Sequence, residues 1–278
     1  PLLFSGRLLD VEAIRRILLV GLALCALSSS VYILNDVKDL SRDRAHPLKR
    51  FRPLASGAVP PSLALVIAGG LVVLGYVVVS FDAAIPRSVL GYMSGFLLLN
   101  VAYSLYLKQK VIADILAIAS GYVLRVFIGG AAIGVWVSHW LVLCTFLLAT
   151  FLGFSKRRHE LTVLGSGAAS HRPVLSLYSK EFLDQASLLT LAMTLTCYML
   201  YTIAPETVER FHTHALVYSS VIVMFALFRY LFLIHVKRLG SPVEVLYADR
   251  QIVLAMVVWV VYAIGVIYTW PMLTAFIR

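Results

Sequence analysis

The chain has 278 residues, of which 60% are hydrophobic and only 14% charged, with a mean hydropathy of +0.89. A water-soluble domain of this length carries far more charge, so the composition excludes a soluble enzyme and points to an all-α, polytopic membrane protein. The formal charge of +10 would suit nucleic acid, but its distribution along the chain argues against that partner.

Apolar runs close to the roughly 20 residues needed to cross a bilayer predict spans at 13–35, 59–80, 88–107, 111–134, 139–155, 184–203, 213–236 and 251–272, forming a single membrane domain over residues 1–278. The chain opens on Pro1 without an initiator Met, and no signal-peptide pattern precedes the first span. Residues 1–9 read as the tail of an earlier span, so nine transmembrane helices are expected of the intact protein, the first truncated here. Cys25, Cys144 and Cys197 all fall inside apolar runs and read as inert buried thiols.

The loops alternate in charge. Loop 36–58 carries Lys38, Arg42, Arg44, Lys49, Arg50 and Arg52; the turn near 108–110 adds Lys108 and Lys110; loop 156–183 adds Lys156, Arg157, Arg158, Arg172 and Lys180; loop 237–250 adds Lys237, Arg238 and Arg250. The intervening loops and the C-terminus hold only Arg87, Arg210 and Arg278. The positive-inside rule puts the basic set in the cytosol, which explains the net charge without a nucleic acid. Trp136, Trp140 and Trp270 fall near the opposite interface, where an aromatic belt is expected. His212 and His214 lie on that far side and read as interface residues.

Three constellations carry chemistry. The first, NDVKDLSRDRAHPLKRFRPLASG, spans Asn35 to Gly57. If the first helix continues through it, Asp36, Asp39 and Asp43 stand at i, i+3 and i+7 on one face. Three stacked negative charges at a membrane surface repel one another unless a cation sits among them. Mg²⁺, which takes oxygen ligands from a few carboxylates and from substrate phosphates, is the natural one. Lys49, Arg50 and Arg52 follow, suited to phosphate oxygens. The residues thus point to a membrane enzyme that handles a diphosphate. The second constellation is Tyr103 to Gly130. Lys108 sits where a helix leaves the membrane, and Asp114 and Arg125 share a helix face about 16 Å apart. An arginine so deep in a span faces a polar cavity or a partner, so the pair reads either as helix-positioning charges or as a place where an anionic group reaches inward. Gly121, Gly129 and Gly130 read as close-packing positions. The third is Ser155-Lys156-Arg157-Arg158-His159-Glu160-Leu161, three consecutive cations with Glu160 the one acid. Arg229, Ser241, Glu244, Asp249 and Arg250 form a weaker set, read at least as readily as helix-positioning ion pairs as functional groups.

The first constellation resembles the first Asp-rich motif of the UbiA superfamily of intramembrane prenyltransferases, with Asn35, Asp36, Asp39, Asp43, Arg44, Pro47, Arg52, Pro53 and Gly57 matching. Tyr103 and Lys108 match that superfamily's Tyr…Lys segment. The resemblance implies a UbiA-like bundle in which Asp36, Asp39 and Asp43 are catalytic and hold Mg²⁺ on a diphosphate. In aromatic prenyltransferases of the superfamily the region of Lys156–Glu160 carries a second Asp-rich motif. Here cations replace it, and the K-R-x-x-E-L pattern is similar to the decaprenyl-phosphate phosphoribosyltransferase branch. That resemblance implies transfer of 5-phosphoribosyl from phosphoribosyl diphosphate to a polyprenyl phosphate. Asn35, Lys49, Arg50, Arg52, Tyr103, Lys108, Arg125, Lys156, Arg157 and Glu160 would then bind substrate. It further implies an active site facing the cytosol of a bacterial-type inner membrane, with membrane lipids as the surroundings. The rival expectations are a prenyl transfer onto an aromatic or other acceptor and, in a different class, a lipid-binding transporter. A transporter would favour broken helices at the bilayer midplane, whereas these charges crowd one face.

Overall fold

In a computed structural model of the protein, which describes residues 2–45, 49–164, 173–237 and 242–269, every regular element is helical. The elements in chain order are α1 (Val11–Lys38), α2 (Leu40–Ala45), α3 (Pro61–Ser80), α4 (Ser88–Leu105), α5 (Ala113–Ala132), α6 (His139–Leu164), α7 (Lys180–Ile203), α8 (Pro205–Phe211), α9 (Ser219–Val236), α10 (Pro242–Ala248) and α11 (Arg250–Ile264). Among the described residues eight helical segments are long and apolar enough to cross a membrane, one for each predicted span. Residues 2–9 form turns. His46, Pro47, Arg172, Arg238, Ser241, Trp270 and Arg278 lie outside the described residues.

The helix starts follow ordinary capping chemistry. Asp10 accepts from the amides of Glu12 and Ala13 at 3.0 and 3.1 Å, Ser179 from Phe182 at 3.1 Å, and Asp249 from Gln251 and Ile252, both at 3.1 Å. Pro61 and Pro205 open α3 and α8, where a missing N–H costs nothing. One expectation is corrected. Residues 156–164, read as loop, continue α6. Lys, Arg, Glu and Leu are good helix formers, and Arg157 and Glu160 pair across one turn at 2.7 Å.

The helices gather into two compact units, Pro1–Lys108 with Leu124–Trp136, and Gln109–Val123 with Val137–Arg278, so that α5 contributes its halves to different units. In the first, α1 packs along α3 and α4 around Val20, Ala23, Leu27, Val79, Val89, Met93, Phe96 and Ile128. The α3 residues turned inward are Ala64, Ala68, Gly75 and Val79, a small-residue stripe that lets helices approach without a hydrophobic driving force in lipid. In the second, α6 packs along α7, with one core around Phe151, Leu191, Leu227 and Leu233 and another around Ile115, Phe154, Val174, Tyr178 and Leu183.

A tight small-residue approach is at Gly153 on α6. A Cβ there would come within 2.6 Å of Cγ2 of Ile115, a β-branched side chain that is fully buried. Gly153→Ala is expected to lower stability by about 1–3 kcal/mol, read as a lower thermal midpoint in detergent, and Ile115→Ala in the same background recovers part of it. Gly95→Ala, whose Cβ would lie 3.9 Å from Leu124, leaves the midpoint in place. An unshifted Gly153→Ala would contradict this packing.

Candidate active site

The Asp-rich run begins inside α1 and crosses a one-residue break. Asp39 sits at φ −91°, ψ 8°, between α1 and α2. The ladder survives the break, since the Asp39 amide donates to the Asn35 carbonyl and the Asp43 amide to the Asp39 carbonyl, each at 2.8 Å. The three aspartates therefore keep near-helical spacing.

In the first unit each carboxylate meets a cation. Arg52 Nη1 donates to Asp36 Oδ1 and to Asp43 Oδ2, both at 2.8 Å. Lys108 Nζ donates to Asp39 Oδ2 at 2.9 Å and Oδ1 at 3.2 Å, and Arg42 lies 3.8 Å from the same group. Lys38 turns away from the acids and donates to the Ser104 and Leu105 carbonyls, both at 2.9 Å, where a cation favours the exposed C-terminal carbonyls of α4. Lys38 and Lys108 thus tie the end of α1 to the end of α4 in both directions. Asn35 Oδ1, one residue before Asp36, is buried without a hydrogen-bond partner among the described residues. Arg50 is exposed with its guanidinium 4.8 Å from the Phe51 ring centroid, while Lys49 and Tyr103 are half-buried. Arg125 stacks 5.2 Å from the Phe96 ring centroid with Ser28 Oγ 3.5 Å from Nη2.

Among the described residues no three His, Cys, Asp or Glu side chains gather closely enough to cage a metal ion by themselves. Mg²⁺ needs no such cage, because it is usually held by one or two carboxylates together with phosphates and water. Asp36 and Asp43 already converge on one nitrogen, so the pair fits a small cation in donor chemistry and in direction. Asp39 fits only on parting from Lys108.

The second unit contains a different network. Arg157, with a side chain 3% exposed, donates Nε to Asp114 Oδ2 at 2.9 Å and Nη1 to Glu160 Oε2 at 2.7 Å. The Tyr178 hydroxyl donates to Asp114 Oδ1 at 2.9 Å and accepts from the Ile112 amide at 2.6 Å. Ile112 is in the left-handed region at φ 67°, costly for a β-branched residue, and its amide is held by that hydroxyl. Burial, with Asp114 alongside, pushes the Tyr178 phenol up to about 12, so it stays a donor at neutral pH. Arg157 therefore lies between Asp114 and Glu160, whereas Lys156 is exposed and makes no ion pair among the described residues. Arg158 pairs with Asp184, which His235 Nε2 approaches at 3.3 Å. Arg229 grips Asp249 at 2.7 and 3.3 Å, and this hydrogen-bonded guanidinium holds the Asp249 carboxyl below its usual range. The sequence sets Asp114 only with Arg125 and gives Tyr178 and Asp184 no role. The i,i+3 pair Arg157–Glu160 was visible in the sequence; Tyr178, 64 residues from Asp114, left no signal.

The UbiA prenyltransferase family profile matches residues 7–247. The chain belongs to that family. As such it is a transferase, and its eight apolar spans make it an integral membrane protein. It is 29% identical over 242 residues to the decaprenyl-phosphate phosphoribosyltransferase of Mycolicibacterium smegmatis, covering 85% of this chain and 75% of that one. To the Mycobacterium tuberculosis protein of the same name it is 28% identical over 250 residues, covering 90% and 81%. Its fold is similar to a UbiA homolog from Archaeoglobus fulgidus bound to GPP and Mg²⁺, with a TM-score of 0.71, 18% identity and coverage of 95% and 93%. At that identity the likeness concerns the fold.

The Arg157 network carries its own prediction. Asp114→Ala leaves a buried guanidinium short of one carboxylate and is expected to cost about 3–5 kcal/mol. Glu160→Gln, at a half-exposed group, costs well under half of that. Thermal unfolding in detergent distinguishes them, and equal midpoints for the two variants would contradict the network.

Proposed function

We propose that this UbiA-family transferase moves 5-phosphoribosyl from phosphoribosyl diphosphate to a polyprenyl phosphate of the decaprenyl type, releasing diphosphate, with Mg²⁺ required. The observation that carries the reading is the contrast between two segments: an acidic helix end at Asp36, Asp39 and Asp43, and a basic one at Lys156–Glu160 in place of a second acidic motif. A donor with a 5-phosphate beside its diphosphate, and an acceptor that is itself a phosphate, suit more cations and fewer carboxylates. The names of the two mycobacterial relatives support the same reading.

In the reaction, the bond from the anomeric carbon to the diphosphate oxygen breaks and a bond to a lipid phosphate oxygen forms, with diphosphate leaving. Asp36, Asp39 and Asp43 hold the metal, which when bound supplies charge stabilisation for the departing diphosphate. Arg52, Lys49, Arg50 and Lys108 bind its oxygens, Arg with a fork and Lys as a point charge. Asn35, Tyr103 and Arg125 complete the contacts from the first unit. Lys156 supplies the exposed cation of the second unit for a phosphate, while Arg157, through Asp114 and Glu160, holds that segment in place. The acceptor phosphate is already ionised at neutral pH, so no side chain is assigned as general base. We assign the charged helix ends to the cytosolic face of a bacterial-type inner membrane, following the positive-inside rule.

A second reading, prenyl transfer from a prenyl diphosphate, is favoured by the family's name and by the GPP bound to the Archaeoglobus fulgidus homolog, whose likeness at 18% identity concerns the fold. Membranes containing the protein, incubated with labelled phosphoribosyl diphosphate, polyprenyl phosphate and Mg²⁺, are expected to move label into the lipid phase. A chelator and Asp39→Asn each abolish that transfer, the variant with its thermal midpoint retained. Turnover of a prenyl diphosphate onto an aromatic acid, with no ribosyl label in the lipid, would overturn the proposal; full activity in Asp39→Asn would remove that residue from the metal.

A further inference from the structure

We propose that Arg52 is a resident counterion, holding the position of the metal between Asp36 and Asp43 until Mg²⁺ arrives and then passing to the diphosphate. Metal and donor binding are thereby coupled through one side chain. The inference rests on the reading of these aspartates as metal-holding groups and adds a role that phosphate binding alone does not give Arg52.

Four observations carry it. First, both carboxylates converge on the same nitrogen, Nη1, at 2.8 Å each. One cationic atom thus stands where a small ion shared by Asp36 and Asp43 would stand, and both cannot be there. Second, the Arg52 side chain is 42% exposed while Asp43 is 7% exposed. The acid is fixed and covered, and the base is the partner with room to leave. Arg157, 3% exposed between Asp114 and Glu160, has no such freedom. Third, the backbone at Arg52 is pinned. Its amide donates to the Lys49 carbonyl at 3.0 Å, and its own carbonyl accepts from the Ser56 amide at 2.8 Å. The exchange therefore needs only side-chain rotation. Fourth, Arg52 donates a single nitrogen to the two acids, and its Nε and Nη2 make no hydrogen bond among the described residues, so the guanidinium keeps a fork for a phosphate.

Electrostatics sets the direction of the exchange. With no metal, Arg52 offsets the repulsion between Asp36 and Asp43. A divalent ion between them offsets it more strongly and repels the guanidinium, while a diphosphate on that ion attracts it. Lys108 differs: it is 15% exposed and holds both oxygens of Asp39, so it has less room to turn than Arg52 and leaves that carboxylate only when the metal takes it.

The test uses purified full-length protein in detergent. Mn²⁺ affinity is measured by electron paramagnetic resonance of the free ion with no phosphate compound present, and phosphoribosyl diphosphate affinity is measured separately by calorimetry at saturating Mg²⁺. Arg52→Gln is expected to bind Mn²⁺ roughly fivefold or more tightly than wild type, the gain from removing two partly exposed ion pairs, and to bind the donor more weakly. Arg52→Lys, which keeps the charge but loses the fork, stays near wild type for Mn²⁺ and weakens donor binding. Opposite signs for metal and donor are the signature, since a purely structural arginine would weaken both. Unchanged or weaker Mn²⁺ binding in Arg52→Gln overturns the proposal. Wild-type Mn²⁺ binding that persists in the Asp36→Asn/Asp43→Asn double variant overturns instead the metal role on which it rests.

Discussion

Carboxylates at the edge of a bilayer must be compensated, and the way this chain compensates them organises its charged helix ends. Asp36 and Asp43 share Arg52, Asp39 takes Lys108, Asp114 takes Arg157, Asp184 takes Arg158 and Asp249 takes Arg229. An unpaired charge at such a depth costs several kcal/mol, so each pairing also fixes the helix ends that carry it. Lys38 and Lys108 bind α1 to α4, and Arg229 binds α9 to the cap of α11. The spans between these ends are largely apolar, with Arg125 and Arg229 as charged exceptions that have partners of their own, and small residues and close packing order the rest. The ionic ends supply register that lipid-facing surfaces cannot.

The pairings are not equivalent, and exposure separates them. The Arg157–Asp114–Tyr178 network is covered from water and reads as scaffold. The Arg52–Asp36–Asp43 set is open on the arginine side and reads as machinery. That distinction bears on the basic Lys156–Glu160 segment, which we propose serves a phosphate-rich substrate. Its charge is divided between one exposed cation, Lys156, and two arginines turned to carboxylates. The segment is helical, on the final turns of α6, so Lys156 is presented from a rigid element rather than a loop.

Much of this was legible in the sequence because it is written at short range. Eight apolar runs of span length predicted eight spans, and the edges that fall on described residues agree to within a few residues except at α6; the predicted end of the last span, at 272, lies outside the described residues. There the apolar signal ends near Phe154 while the helix, carried by residues of good propensity and by Arg157–Glu160, runs on to Leu164. The i, i+3, i+7 spacing of the aspartates was readable for the same reason, and the ladder through Asp39 preserves it. The choice of counterions was not readable. Arg52 and Asp43 are 9 residues apart, but Lys108 and Asp39 are 69 and Tyr178 and Asp114 are 64. Any of the many basic residues in these segments could have served, and only packing of the helix ends selects among them. Asp114 shows the point: read alone it paired with Arg125 on its own helix, yet the two sit in different units with different partners.

The central claim is that the compensated Asp cluster is built for a phosphoribosyl diphosphate donor. The most direct measurement is binding of that donor and of a short prenyl diphosphate to the purified protein, each with and without Mg²⁺, in wild type and in Asp36→Asn. The account predicts saturable, Mg²⁺-dependent binding of phosphoribosyl diphosphate that Asp36→Asn removes, with the prenyl diphosphate bound far more weakly. Mg²⁺-dependent binding of the prenyl diphosphate, lost in Asp36→Asn, with none of the ribosyl donor, would contradict it.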